Sequence, residues 1–246
     1  MIQKTMQIGI LQTGDTPEEL KTRHGGYEDM FIRLLGGNGM NFNFQVFRVL
    51  DQEFPEDVSI CDGWLITGSK HAAYGPEPWI PPLKKFIREI VAADLPLAGI
   101  CFGHQIIAEA LGGRVVKSDK GWGLGLDTYD LDPELAAAQP PQVTLNIFHQ
   151  DQVIEAPTGA RIYARSDFCE NAGMLVGNRI MTIQGHPEFK VDYNRELLAF
   201  RRDSVEPETL VDCAIEELGQ GEQNTDSERF GAWIGQFFND NARRVN

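Results

Sequence analysis

The segment 99–103 reads Gly-Ile-Cys-Phe-Gly, so Cys101 stands between two glycines, directly after an apolar run and directly before residues with helical spacing. A sharp strand-to-helix turn pushes one side chain out above the edge of a sheet, and flanking glycines remove the Cβ atoms that would clash there. Cys101 is the side chain so presented. It would also lie at a helix N-terminus, where unpaired N–H groups and the helix dipole favour thiolate over thiol. This combination suits nucleophilic attack on an acyl carbon. The plainer alternative is a tight turn with an incidental buried cysteine.

A thiolate of this kind needs a base that takes and returns a proton, and the chain has five histidines: His24, His71, His104, His149 and His186. One of them carries an orienting group beside it. In Gly185-His186-Pro187-Glu188, the proline disfavours the helical region for His186 and predicts an extended chain, which would place His186 and Glu188 on the same side. A carboxylate there can bond one imidazole nitrogen and leave the other for the thiol. A solvated polar turn is the competing reading. His71 and His104 read more simply as a loop residue and a helix-start residue.

The elements that must position these groups follow from periodicity. Apolar runs at 6–11, 42–50, 63–67 and 97–100 alternate with helical spacing at 18–35, 82–93 and 104–111, a pattern of an α/β sheet. Between 114 and 183 the pattern changes to short alternating strands with turns at 121–125, 140–141, 157–159 and 177–178, which predicts antiparallel strands added to a parallel sheet. Helices are expected near 192–202, 206–218 and 227–239, with a polar break at 219–226. The expected fold is α/β: one domain over 1–246 built on a twisted mixed sheet with a parallel core, helices on both faces, and Cys101 at the carboxyl end of a strand. The catalytic core would span about 6–190 and a C-terminal helical extension about 191–246. Trp233, Phe237 and Phe238 have the spacing of core residues, and Glu206, Glu208, Glu216 and Glu217 that of a solvated face.

Composition narrows the function classes. With 42% hydrophobic and 24% charged residues, 246 residues bury a core without metal or disulfide. A formal charge of −14 disfavours nucleic acid and anionic lipid as main partners. The N-terminal residues 1–11 alternate like a strand rather than a signal peptide, and no apolar run is long enough to span a bilayer. Cys61, Cys169 and Cys213 are scattered, without a Cys-x-x-Cys pair, and read as small buried apolar groups in a reducing, cytoplasmic setting.

The residues Gly99 to Gln105 together with His186-Pro187-Glu188 resemble the class I glutamine amidotransferase superfamily, whose pattern is a Gly-x-Cys-x-Gly-x-Gln elbow followed far downstream by His-Pro-Glu. Phe148-His149-Gln150-Asp151-Gln152-Val153 resembles the His-containing loop that lies between the two in that family. The resemblance implies a three-layer, flavodoxin-like fold without a cofactor or metal. It also implies Cys101 as nucleophile, His186 as acid and base, and Glu188 as its orienter. Gln105, Phe148, His149, Gln150 and Asp151 would hold the substrate, with Phe102, Gly68 and Ser69 at the oxyanion hole. Many members carry Gly-Gly-Pro or Asn-Gly-Pro where this chain reads Gly68-Ser69-Lys70.

The first expectation from this resemblance is hydrolysis of the glutamine γ-amide through a γ-glutamyl thioester, releasing ammonia to a separate synthetase. No nucleotide-binding Gly-x-x-x-x-Gly-Lys-Ser/Thr pattern occurs in this chain. The segments 66–71, 78–80 and 121–125 also resemble stand-alone members, among them γ-glutamyl peptidases, which gives γ-glutamyl peptide hydrolysis as the alternative. A catalytically silent scaffold and another cysteine hydrolase of related architecture complete the possibilities.

Overall fold

A computed structural model of the chain describes residues 5–37, 40–219 and 225–242. Eleven strands occur among them: β1 (Met6–Gln12), β2 (Phe42–Arg48), β3 (Gly63–Ile66), β4 (Leu97–Ile100), β5 (Arg114–Lys117), β6 (Gly123–Leu131), β7 (Gln142–His149), β8 (Asp151–Glu155), β9 (Ala160–Arg165), β10 (Gly173–Val176) and β11 (Ile180–Ile183). Nine form one sheet in the order β2-β1-β3-β4-β11-β10-β9-β6-β7, while β5 and β8 make a separate antiparallel pair. The first five strands of that order are parallel and the remaining four antiparallel. Every residue of β3, β4 and β11 is buried, as expected for strands covered on both faces.

The helices are α1 (Glu18–His24), α2 (Tyr27–Gly36), α3 (Ile80–Ala92), α4 (Phe102–Ala110), α5 (Val191–Phe200), α6 (Glu208–Gly219) and α7 (Ser227–Asp240). On one face of the sheet Phe31, Leu35, Phe230, Ile234 and Phe238 from α2 and α7 pack against Ile8, Ile10 and Leu65. On the other, α3 and α4 supply Leu83, Ile87, Phe102 and Ile106 to a second cluster with Trp64 and Ile66. The antiparallel half is capped by α6, whose Val211, Ala214 and Leu218 meet Leu124 and Leu126 of β6. The expected α/β fold is thus present, with Phe237 and Phe238 buried and Trp233 packed on the core. No helix among the described residues is long and apolar enough to cross a membrane.

Four sequence expectations need correction. The helix expected over 18–35 is two helices, because Gly25 takes a positive φ of 83° that ends α1, and Gly26 restarts the chain as the N-cap of α2. β11 belongs to the parallel core, not to the antiparallel addition: the hairpin at Gly177 reverses the chain, so β11 runs alongside β4. Cys213 is exposed, since it lies off the stripe of α6 formed by Val211, Ala214 and Leu218. The chain through His186 and Glu188 closes into a turn in which Phe189 N–H donates to His186 C=O, rather than staying extended. Residues 1–4 of the N-terminal stretch and 220–224 of the polar break lie outside the described residues.

Candidate active site

The register of the parallel strands gathers the candidate residues at one edge. Ile183 of β11 pairs with Ile100 of β4, Ile66 of β3 with Gly99, and Leu11 of β1 with Ile66. The residues just past these carboxyl ends, Thr13, Gly68, Cys101 and His186, therefore meet above the sheet, where open α/β folds place their ligand sites.

Cys101 occupies the strand-to-helix turn with φ 51° and ψ −104°, a left-handed conformation that costs a residue bearing a Cβ about 1–3 kcal/mol. Packing holds it there. Cys101 N–H donates to Ile183 C=O at 2.8 Å, and a Cβ on Gly103 would sit 2.4 Å from Ile66 O, so the close crossing of α4 over β3 requires glycine. The first intrahelical acceptor of α4 is Cys101 O, taken by Gln105 N–H at 3.0 Å, which leaves the preceding N–H groups of the first turn without helical partners. The Phe102 ring turns away into the core against Trp79, so only its backbone can face the thiol.

His186 is fixed from three directions. Its N–H donates to Asn146 C=O at 2.8 Å, its Nδ1 lies 2.8 Å from Glu188 Oε1, and its ring stacks on Phe189 at 4.0 Å and 7°. The Glu188 side chain is 1% exposed, so its carboxylate is shielded from water. Burial works against a charged imidazole, but the negative charges of Cys101 and Glu188 and the hydrogen bonds to them outweigh it and hold His186 up to about 10.

The loop after β3 is pinned from behind. Thr13 Oγ1 lies 2.9 Å from Thr67 O and 3.2 Å from Gly68 O. Both carbonyls therefore face Thr13, and in trans peptides the N–H groups of Gly68 and Ser69 point the opposite way. A Cβ on Gly68 would lie 3.0 Å from His186 Cε1 and 3.8 Å from Cys101 Cβ, so this loop borders the thiol directly.

A cleft of about 270 Å³ opens here. Of the residues singled out in the sequence, Cys101, His186, Ser69, Gln105, Phe148, His149, Gln150 and Asp151 line it, while Glu188 sits behind His186. Gln105 differs from a simple substrate contact. Its amide nitrogen donates to Asp151 O at 2.8 Å and Gln184 Oε1 at 3.1 Å, so it braces the loop between β7 and β8 and offers the cleft only its Oε1. The His149 ring is likewise tied back, with Nδ1 3.2 Å from Asp151 O and its edge against Phe168.

Sequence reasoning missed several groups in and behind the cleft. Gln184, fully buried, donates from Nε2 to Cys101 Sγ at 3.5 Å and links the thiol to Gln105; its place two residues before His186 was the available signal. His71, expected as a plain loop residue, pairs with Glu77 at 2.8 Å and lines the same cleft. Tyr27, on α2, packs against Phe189 and lines the cleft, as do Lys117 and Arg201, none of which has a local sequence mark; Lys70 and Trp122, also in the lining, belong to the segments 66–71 and 121–125 that resemble stand-alone members.

Beneath the cleft, His104 is fully buried with Nδ1 2.8 Å from Thr182 Oγ1. Desolvation, aided by the nearby His149, depresses it to about 3; desolvation likewise depresses His149 to about 4. A folded pKa below the ordinary 6.5 means the unfolded chain binds more protons, so stability is full above that value and declines as pH falls toward about 3. Between pH 8 and pH 5, His104 alone should remove ~2 kcal/mol. Urea midpoints should therefore drop over that interval and flatten by this amount in His104→Gln; an unchanged pH dependence contradicts a neutral buried imidazole.

Comparison with known proteins gives the family and the shared fold. The family model for glutamine amidotransferase class-I matches residues 30–202. Among curated proteins, γ-glutamyl peptidase 2 of Arabidopsis thaliana is 32% identical over 224 residues, 88% of each chain. A glutamine-hydrolyzing GMP synthase subunit of Halobacterium salinarum is 36% identical over 104 residues, 41% of this chain and 57% of that one. A solved glutamine amidotransferase from Thermotoga maritima superposes with a TM-score of 0.75 at 17% identity, covering 97% of this chain and 99% of that one, which shows the shared fold.

Proposed function

The chain belongs to the class I glutamine amidotransferase family, and from that premise we propose that its cleft hydrolyses γ-glutamyl amide bonds through a thioester on Cys101. The observation that carries the reading is the buried His186–Glu188 hydrogen bond of 2.8 Å, with His186 and Cys101 lining one cleft at the carboxyl edge of the sheet. The Cys101 thiolate attacks the γ-carbonyl carbon. N–H groups of Phe102 and of the Gly68-Ser69 loop stabilise the oxyanion, as donors fixed before the charge appears. Collapse breaks the C–N bond while the His186 imidazolium gives its proton to the departing nitrogen. Water then attacks the thioester as His186 takes its proton, releasing glutamate and restoring the thiolate.

For the leaving group we place γ-glutamyl peptides ahead of glutamine, reversing the order drawn from sequence. The similarity to γ-glutamyl peptidase 2 extends over 88% of both chains, against 41% of this chain for the GMP synthase relative. That shorter similarity favours the second reading, in which glutamine is cleaved and ammonia passes to a separate synthetase. Turnover of purified protein on γ-glutamyl dipeptides and on glutamine, read as released amine and ammonia, decides between them. Faster dipeptide cleavage by tenfold or more in kcat/KM, about 1.4 kcal/mol, is the expected result. Glutamine preferred by the same margin overturns it.

A further inference from the structure

Three cations line the cleft, Lys70, Lys117 and Arg201, in a chain of formal charge −14. They are not equivalent. Lys117 is opposite Asp151 in the β5–β8 ladder, and the two charges act on one another. Lys70 is exposed at the rim. Arg201, the residue that ends α5, is half-buried and makes no ion pair among the described residues. Its neighbour Arg202 shows the alternative, being taken up at the surface by Asp212 and Glu208. One of two adjacent arginines thus lines the cleft with its guanidinium unmatched among the described residues. A half-buried guanidinium without an anion forgoes the bidentate pairing for which its planar fork is shaped, and a ligand carboxylate would supply it.

The position of Arg201 says which part of a substrate it would meet. Its charge acts on the Tyr27 phenol. The Tyr27 ring packs at 5.9 Å against Phe189, the ring that stacks on His186. Arg201 N–H donates to Leu197 C=O, and Leu197 packs with Tyr27 and Phe189, so Arg201 stands on the imidazole side of Cys101, whereas Gln105 belongs to the wall formed by α4. The imidazole that protonates the departing nitrogen has to face the leaving group, so the imidazole side is the leaving-group side.

We infer that Arg201 binds the carboxylate of the amino acid joined to the γ-glutamyl group, and so selects γ-glutamyl peptides with a free carboxylate over their amides and over glutamine. This rests on the cleft being a γ-glutamyl hydrolase site. Glutamine and a dipeptide amide share the γ-glutamyl end but lack the second carboxylate, so the three substrates separate the two ends.

The test is steady-state kinetics of wild-type, Arg201→Met and Arg201→Lys protein on γ-glutamyl-alanine, γ-glutamyl-alaninamide and glutamine. Binding of the first two to Cys101→Ser protein with and without Arg201→Met is measured by calorimetry. Loss of a charge-assisted hydrogen bond predicts a KM for γ-glutamyl-alanine raised roughly 10- to 100-fold in Arg201→Met with kcat little changed, and smaller losses in Arg201→Lys. The alaninamide and glutamine values should move less than about twofold. Equal loss on all three substrates, or no change on any, overturns the assignment. If turnover proves independent of Cys101 while the calorimetric preference for free carboxylate still vanishes with Arg201, the mechanism fails and the carboxylate site stands.

Discussion

Cys101→Ala should lower kcat for γ-glutamyl amide cleavage by at least ~10⁴-fold, leaving only what the oxyanion donors and substrate binding supply on their own. The fold should survive. Alanine carries the same Cβ as cysteine, so the strain at φ 51° is unchanged, and what is lost is the 3.5 Å contact from Gln184 Nε2, worth about 1 kcal/mol, together with the attraction to the His186 imidazole. No other buried thiol can substitute. Burial pushes Cys61 and Cys169 up to about 12, so both are protonated at neutral pH. Chromatography of the released amine, with urea midpoints as the control for folding, checks the expectation. A rate within a hundredfold of wild type in a folded variant contradicts it.

Glu188→Gln should cost ~10²- to 10⁴-fold in kcat, the range seen when the orienting carboxylate of a triad loses its charge but keeps its shape. A glutamine can still accept a hydrogen bond 2.8 Å from His186 Nδ1, so orientation is partly kept while the attraction that favours imidazolium is lost. The sign of the pH effect follows. His186 is held up to about 10 against burial by the charges of Cys101 and Glu188, so it remains protonated through neutral pH and loses its proton as pH rises toward that value. Removing one of those charges moves the loss to lower pH. The alkaline limb of kcat/KM should shift acidward in Glu188→Gln, measured from pH 6 to 10. A profile that superimposes on wild type, at a rate within threefold, contradicts the role given to Glu188.

The elbow and the His-Pro-Glu segment were legible because each is set by neighbours in the chain: glycines where backbones cross, and a carboxylate two residues from an imidazole. What brings them together was not. The pairing of Ile183 with Ile100 depends on β11 being parallel to β4 although β10 and β9 beside it are antiparallel, and nothing in the sequence of β11 distinguishes its two possible neighbours. The same distance in sequence hid the supporting groups. Tyr27 and Arg201 are 174 positions apart yet line one cleft, and the pinning of the Gly68 loop by Thr13 spans 55 positions. Gly25-Gly26 is visible in the sequence but does not announce a helix break, because the apolar periodicity on either side continues across it.

The most direct test of the central claim is labelling by a chloroketone analogue of glutamine, which carries an alkylating carbon where the γ-amide would sit. Peptide mass spectrometry should find one adduct per chain, on Cys101, formed in step with loss of turnover and prevented by γ-glutamyl-alanine. Inactivation with Cys101 unmodified, or labelling confined to the exposed Cys213, would contradict the account.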